Sequence, residues 1–352
     1  MEIPVFRPTI RRKSMNLVLT CLVSDRVGPG PVNRELASQL AAYLGLAGGY
    51  CFSSYREAIL KALEALELKP GDGVVLSALA PAVYLETLKA GGYVPLVADV
   101  DPDSAVLTAA AAQELLGREA KAVIAHHTLG FVPDLAGLSR LGVPLIEDIS
   151  QALGARYAGR ACGSYGDLCL LSLEPEGLIT AGEGGAVLAR EGKALRNLRR
   201  LLEEEPHPDL LPDMNAALGV SQLKELDKYL AGRKEIAEVF LQALQKSRHK
   251  SLVQSQETEN VPFSFPVVLK DGLRAVRQYA GRKNVQSLPA FASSLLARLD
   301  SQPPAAEGEA GGGKSPYPIA QSLLRRCLLF PLYPGLGRKN VELISKLLSS
   351  LP

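Results

Sequence analysis

The residues able to do chemistry gather at the ends of short apolar runs. Glu147 and Asp148 follow the run 143–146, and His126 and His127 follow the run 122–125. Ser172 stands near the end of the run 168–173, ahead of a loop rich in Gly and Glu that carries Glu174 and Glu176. Those two glutamates are able to act as acids or bases. The others each have a plainer reading as well. A strand-end aspartate caps a loop or helix, a strand-end serine is structural, and a lone histidine there is a packed, hydrogen-bonded core residue.

The elements that must position these residues alternate in type. Helical segments are read at 31–44, 58–66, 82–90, 109–116 and 135–141. In the first, Leu36, Leu40 and Leu44 share a face and Pro31 stands at the start. Strands are read between the helices at 73–76, 94–98, 122–125 and 143–146. Such alternation indicates βαβ units and a mostly parallel sheet, in which ligands bind beyond the carboxyl ends of the strands. His127 and Asp148 both fall at such ends.

Further along, 168–173 and 186–188 are apolar runs, and 214–244 is a long helical stretch broken near 230–232. A strand at 263–269, a helix at 273–280 and a closing helix at 340–351 follow. The segment 303–315 (PPAAEGEAGGGKS) is of low complexity and reads as flexible. The domain boundary is placed near Arg233, giving units 1–232 and 233–352.

The 352 residues are 47% hydrophobic and 22% charged, as in a soluble globular protein. A net charge of +2, with no basic run interleaved with aromatics, argues against a nucleic-acid partner. Cys21, Cys51, Cys162, Cys169 and Cys327 are scattered and form no CxxC pair, so the spacing implies neither zinc nor a disulfide framework. The stretch 15–23 is too short to span a bilayer, and no apolar core follows the charges of 1–13 to make a secretion signal. A cytoplasmic protein with no membrane contact is the expectation.

A series of fragments gives these landmarks a family likeness. They are Pro70-Gly71-Asp72, PLVADVD at 95–101, HTLG at 127–130, EDISQALGARYAGRACGSYGDLCLLS at 147–172, GEGGAV at 182–187, NAALGVSQL at 215–223 and LFPLYPGL at 329–336. In that order the chain resembles the DegT/DnrJ/StrS sugar aminotransferases, which are fold-type-I pyridoxal-phosphate enzymes. The resemblance implies a three-layer large domain with a mostly parallel sheet, a smaller C-terminal α/β domain, and a homodimer with active sites at the interface.

It also implies roles for single positions, and several are altered. Asp148 matches the carboxylate that pairs with the cofactor's pyridine nitrogen, and Gln151 the residue that approaches the ring oxygen. Ser172 remains a candidate phosphate donor, and His127 falls near the pocket. Both Ser172 and the run beginning at Gly182 put the Schiff-base lysine position at Gly177, and no lysine occurs between Lys121 and Lys193. Glycine can neither form an imine nor carry a proton. Where the family has Ser-Gly-Thr at a phosphate-binding helix start, this chain has Ser54-Tyr55-Arg56. Tyr55 crowds that cup, whereas Arg56 is able to bind an anion in another pose.

Asp213 replaces a phosphate-binding arginine, and Leu79-Ala80-Pro81 replaces an aromatic that stacks on the ring. A buried Asp148 without a pyridinium needs a new cation, and Arg56 is the candidate. The combined losses imply a family member without transaminase activity and with no cofactor expected. Such a protein would keep the scaffold to bind a nucleotide-sugar, pair with an active relative, or regulate sugar metabolism. The alternatives are a lysine-independent enzyme in the same pocket and an ordinary pyridoxal-phosphate nucleotide-sugar aminotransferase.

Overall fold

Every residue of 73–77, 145–148, 168–172 and 185–189 is buried, which is how strands covered on both faces must look. The computed structural model describes residues 2–117, 119–204, 209–255, 257–301 and 315–352. Seven strands form its main sheet: β1 (Gly48–Phe52), β2 (Gly73–Ser77), β3 (Val94–Ala98), β4 (Ala120–His126), β5 (Leu145–Asp148), β6 (Leu168–Ser172) and β7 (Gly185–Ala189). Their order is β1-β7-β6-β5-β4-β2-β3. The strands from β6 to β3 pair in parallel, and β7 runs antiparallel to both β6 and β1.

Side chains alternate between the two faces, as the period of a strand requires. Val74, Leu76, Ile124, Ile146, Leu168 and Leu170 join one apolar layer with the helices Tyr55–Ala65 and Val83–Ala90. Cys169, Leu171, Ala186 and Leu188 face the other way, toward the helix Pro31–Leu44. The chain thus has the three-layer α/β fold with a large, mostly parallel sheet that its sequence led us to expect.

A second, antiparallel sheet holds β8 (Phe265–Val268), β9 (Leu288–Pro289) and β10 (Cys327–Phe330), in the order β8-β10-β9. Val267, Leu328 and Phe330 pack there with Phe240, Val276, Ile344 and Leu348 from three helices. The long helical stretch breaks at Lys224–Glu225 rather than at 230–232: Asp213–Leu223 and Leu226–Leu244 are separate helices, and Gly232 lies within the second. The sequence reading passed over β1. Its two glycines hide it, and one is required by the fold, because a Cβ at Gly49 would come within 2.7 Å of the Leu188 Cα on the paired strand. Apart from Ser315, the segment 303–315 lies outside the described residues.

Candidate functional site

Strand β5 ends in two carboxylates, so they must face opposite sides of the sheet. Asp148 pairs in register with His126 of β4, and both side chains line a cavity of about 500 Å³ beyond the carboxyl ends of the strands. Leu79 and Pro81 after β2, Thr128 after β4, Ser150 and Gln151 after β5, and Ser172 at the end of β6 share its wall. The far wall comes from Phe6, Phe263 and the segment 288–294.

Asp148 is fully buried and its two oxygens are held by side chains and one backbone N–H. Tyr84 donates its hydroxyl to Oδ2 at 2.8 Å. The Ser150 hydroxyl and N–H both donate to Oδ1, at 2.5 and 2.9 Å. The Tyr55 and Tyr84 hydroxyls are 2.7 Å apart. Because the single Tyr84 proton goes to Asp148, Tyr55 is the donor in that pair. Burial, and after it the charge of Asp148, pushes both phenols well above their usual range. His126 Nδ1 is 3.0 Å from Thr128 Oγ1, and its Nε2 is 3.6 Å from Asp148 Oδ2. Burial holds this imidazole below its ordinary range, against the opposing pull of Asp148.

These contacts correct three expectations. Arg56 is exposed, at the first turn of the helix Tyr55–Ala65, and does not line the cavity. It is not the partner of Asp148, which three hydrogen bonds satisfy in place of a cation. His127 is fully buried on the opposite face, with Nε2 3.5 Å from Glu147 Oε2, and does not reach the cavity. Asp213 does not face the cavity either. Its carboxylate accepts from Asn33 N–H at 2.8 Å, inside the first turn of the helix Pro31–Leu44, and so it caps that helix.

Tyr55, Asp148, Gln151, Ser172 and Gly177 all line the cavity, as does Glu174. Gln151 Oε1 accepts from Leu129 N–H at 2.6 Å, and Ser172 donates its hydroxyl to Glu174 Oε2 at 2.9 Å. Gly177 sits in a tight turn, its N–H donating to the Glu174 carbonyl at 3.1 Å. A Cβ there would lie 2.5 Å from the Ile179 carbonyl oxygen and 3.2 Å from that of Glu174, both backbone atoms. Among the described residues, no lysine or arginine lines the cavity. Sequence reasoning missed Tyr84, and it noted His126 at a strand end without assigning it to the site. His126 was within reach of it, because parallel neighbours in register point the same way and Asp148 was already placed.

The seven-stranded, mostly parallel sheet with a cavity beyond its strand ends matches the fold of fold-type-I aminotransferase structures. The sequence pattern of the DegT/DnrJ/EryC1/StrS aminotransferase family matches residues 8–205 and 209–349, and the chain belongs to that family. It is 32% identical over 233 residues to L-glutamine:2-deoxy-scyllo-inosose aminotransferase of Streptoalloteichus tenebrarius, covering 59% of this chain but only 55% of that protein. It is 25% identical to GDP-perosamine synthase of Vibrio cholerae across 97% of this chain and 96% of that one. The crystal structure of the aminotransferase TlmJ from Streptoalloteichus hindustanus superposes with a TM-score of 0.88 at 25% identity, covering 99% of this chain and 98% of that one. The pyridoxal-phosphate form of a Streptococcus pneumoniae sugar aminotransferase shares the fold at a TM-score of 0.87 and 20% identity, over 99% and 98% of the two chains.

Proposed function

We propose that this chain is a DegT/DnrJ/EryC1/StrS family member that binds a small ligand in the family's cavity without transaminating it. One observation carries the reading. Gly177, at the position we assign to the Schiff-base lysine, faces backbone oxygens that leave no room for a side chain. Two further features support it. The lining offers no cation for a phosphate group among the described residues, and Tyr84 already occupies the Asp148 oxygen Oδ2. The residues present therefore do not fit pyridoxal phosphate, and we derive no step through it. What the chain's own groups can do is bind and orient. Asp148, Glu174 and the Gln151 side chain accept or donate hydrogen bonds, and the phenylalanines of the far wall exclude water.

The test is the visible spectrum of the purified protein with added pyridoxal phosphate, followed by borohydride reduction and mass analysis. We expect no new absorbance and no mass increment. A reduced adduct on a lysine would establish the competing reading, an active nucleotide-sugar aminotransferase, which the names of the relatives favour. We further propose a cytoplasmic homodimer. Light scattering at micromolar concentration checks the dimer, and a monomer would refute it. No helix among the described residues is long and apolar enough to cross a membrane.

A further inference from the structure

Away from the cavity, the small domain holds a groove of about 610 Å³ between the helix Leu273–Arg282 and the segment 285–288. It shares only Leu288 with the lining of the cavity. Arg274 and Arg277 stand on its helical wall, one turn apart and so on one face. Both are exposed, and among the described residues neither makes a hydrogen bond or an ion pair. The helix carries no acidic residue. The one acid in the lining, Glu2, is exposed and pairs with neither arginine. The helix end adds to this charge. Its N-cap, Gly272, supplies no side-chain cap, so the first-turn N–H groups lack a helical partner. Arg274 in that turn lies against the helix dipole, and an anion bound beside it offsets the cost.

Ser287 gives an independent pointer to a ligand. It is only 7% exposed and lines the groove, and among the described residues its hydroxyl has no hydrogen-bond partner. Alternate residues of an extended segment face the same way, so Ser287 shares the face of Val285. Val285 joins the apolar layer of Val276 and Ala280, two residues of the helix, and the Ser287 hydroxyl is thereby aimed at the wall that bears the arginines. A hydroxyl so enclosed, with nothing to bond, is a place for a polar group supplied from outside. Donors converge there, and what satisfies them is an anion rich in oxygen. A carboxylate offers two acceptor oxygens, whereas a phosphate monoester offers three and nearly twice the charge.

We propose that this groove is a second binding site, taking a compact organic molecule that carries a phosphate monoester. Arg274 and Arg277 hold two of its oxygens through charge-assisted hydrogen bonds, and the Ser287 hydroxyl donates to the third. Leu273 and Leu288, both half-buried, seat the organic part. The site uses no group of the cavity except Leu288, so it holds whichever ligand the cavity takes.

Isothermal titration calorimetry of the full chain tests it, with phenyl phosphate as the probe and benzoate as the carboxylate control. We expect phenyl phosphate to bind at least about tenfold more tightly than benzoate. Arg274→Gln and Arg277→Gln, at exposed positions, should keep the melting temperature and each weaken phenyl phosphate by at least about tenfold. Ser287→Ala should weaken it by about threefold. Arg282→Gln removes the same charge from the same helix but lies outside the groove, and it should change the affinity by less than about twofold. Three results would each overturn the proposal: no heat from phenyl phosphate up to about 1 mM, benzoate bound as tightly, or Arg282→Gln costing as much as Arg277→Gln. The last would mean that a diffuse positive field, rather than a built site, attracts the anion.

Discussion

Glu147 and Asp148 are neighbours on one strand, both fully buried, yet they are held in different ways. Glu147 accepts three backbone N–H groups, from Gly163 at 2.8 Å, Tyr165 at 2.5 Å and Gly166 at 2.7 Å. It thereby fixes the loop between β5 and β6. Asp148 is held mainly by the side chains of Tyr84 and Ser150, with one backbone N–H. Backbone donors stay whatever the sequence does, so Glu147 belongs to the scaffold. Side-chain donors change with single substitutions, so the surroundings of Asp148 are open to new chemistry while the fold remains. Tyr84 and Tyr55 show that route: two phenols, 29 positions apart, now close the floor around a carboxylate that suits a cofactor in the family.

The contrast makes graded predictions. The largest effect belongs to Glu147→Ala. It strands three backbone N–H groups, two of them buried and one part-buried, each costing ~1–3 kcal/mol, and we expect a loss on the order of 4 kcal/mol in chemical denaturation. A loss below about 1 kcal/mol would break the comparison, because Glu147 would then be no more structural than a surface acid. Next comes Tyr84→Phe, which removes a hydrogen bond to a charged acceptor. It should cost about 2–3 kcal/mol in the same assay, with the fold unchanged by circular dichroism.

Gly177→Ala forces a Cβ against the Ile179 carbonyl, and a penalty of about 1–2 kcal/mol is expected. Unchanged or increased stability would mean that the turn yields easily, and it would weaken the case that no side chain fits there. The smallest effect is the pH dependence from His126. Its folded pKa is lowered from 6.5, so the unfolded chain takes up the proton first as pH falls. Stability from this group is therefore full above about pH 6.5 and declines as pH drops toward the folded value. Thermal melts of His126→Gln should show a shallower decline than the parent over that window.

Much of the fold was legible in the sequence. The helices Pro31–Leu44 and Ala109–Leu116 and the strand Val94–Ala98 fall where periodicity put them, because their patterns are local and regular. β1 was not legible, since a glycine needed for close approach looks the same in sequence as one in a turn. The site divides in the same way. Asp148, Gln151, Ser172 and Gly177 were named from short motifs, and the structure brings them to one cavity. His127 and Arg56 were named for their neighbourhood, and the direction of the side chain took them elsewhere.

What the sequence determined by itself, then, is what repeats at short range: the alternation that makes a parallel sheet, the strand ends where ligands bind, and the absence of a lysine between Lys121 and Lys193. Only the tertiary structure decided which groups satisfy the buried carboxylates. Tyr84 reaches Asp148 across 64 positions, and Asp213 caps a helix 180 positions away. Such pairings depend on how strands and helices dock. No local pattern encodes them, because the hydrogen bond is set by a distance in space rather than a spacing along the chain.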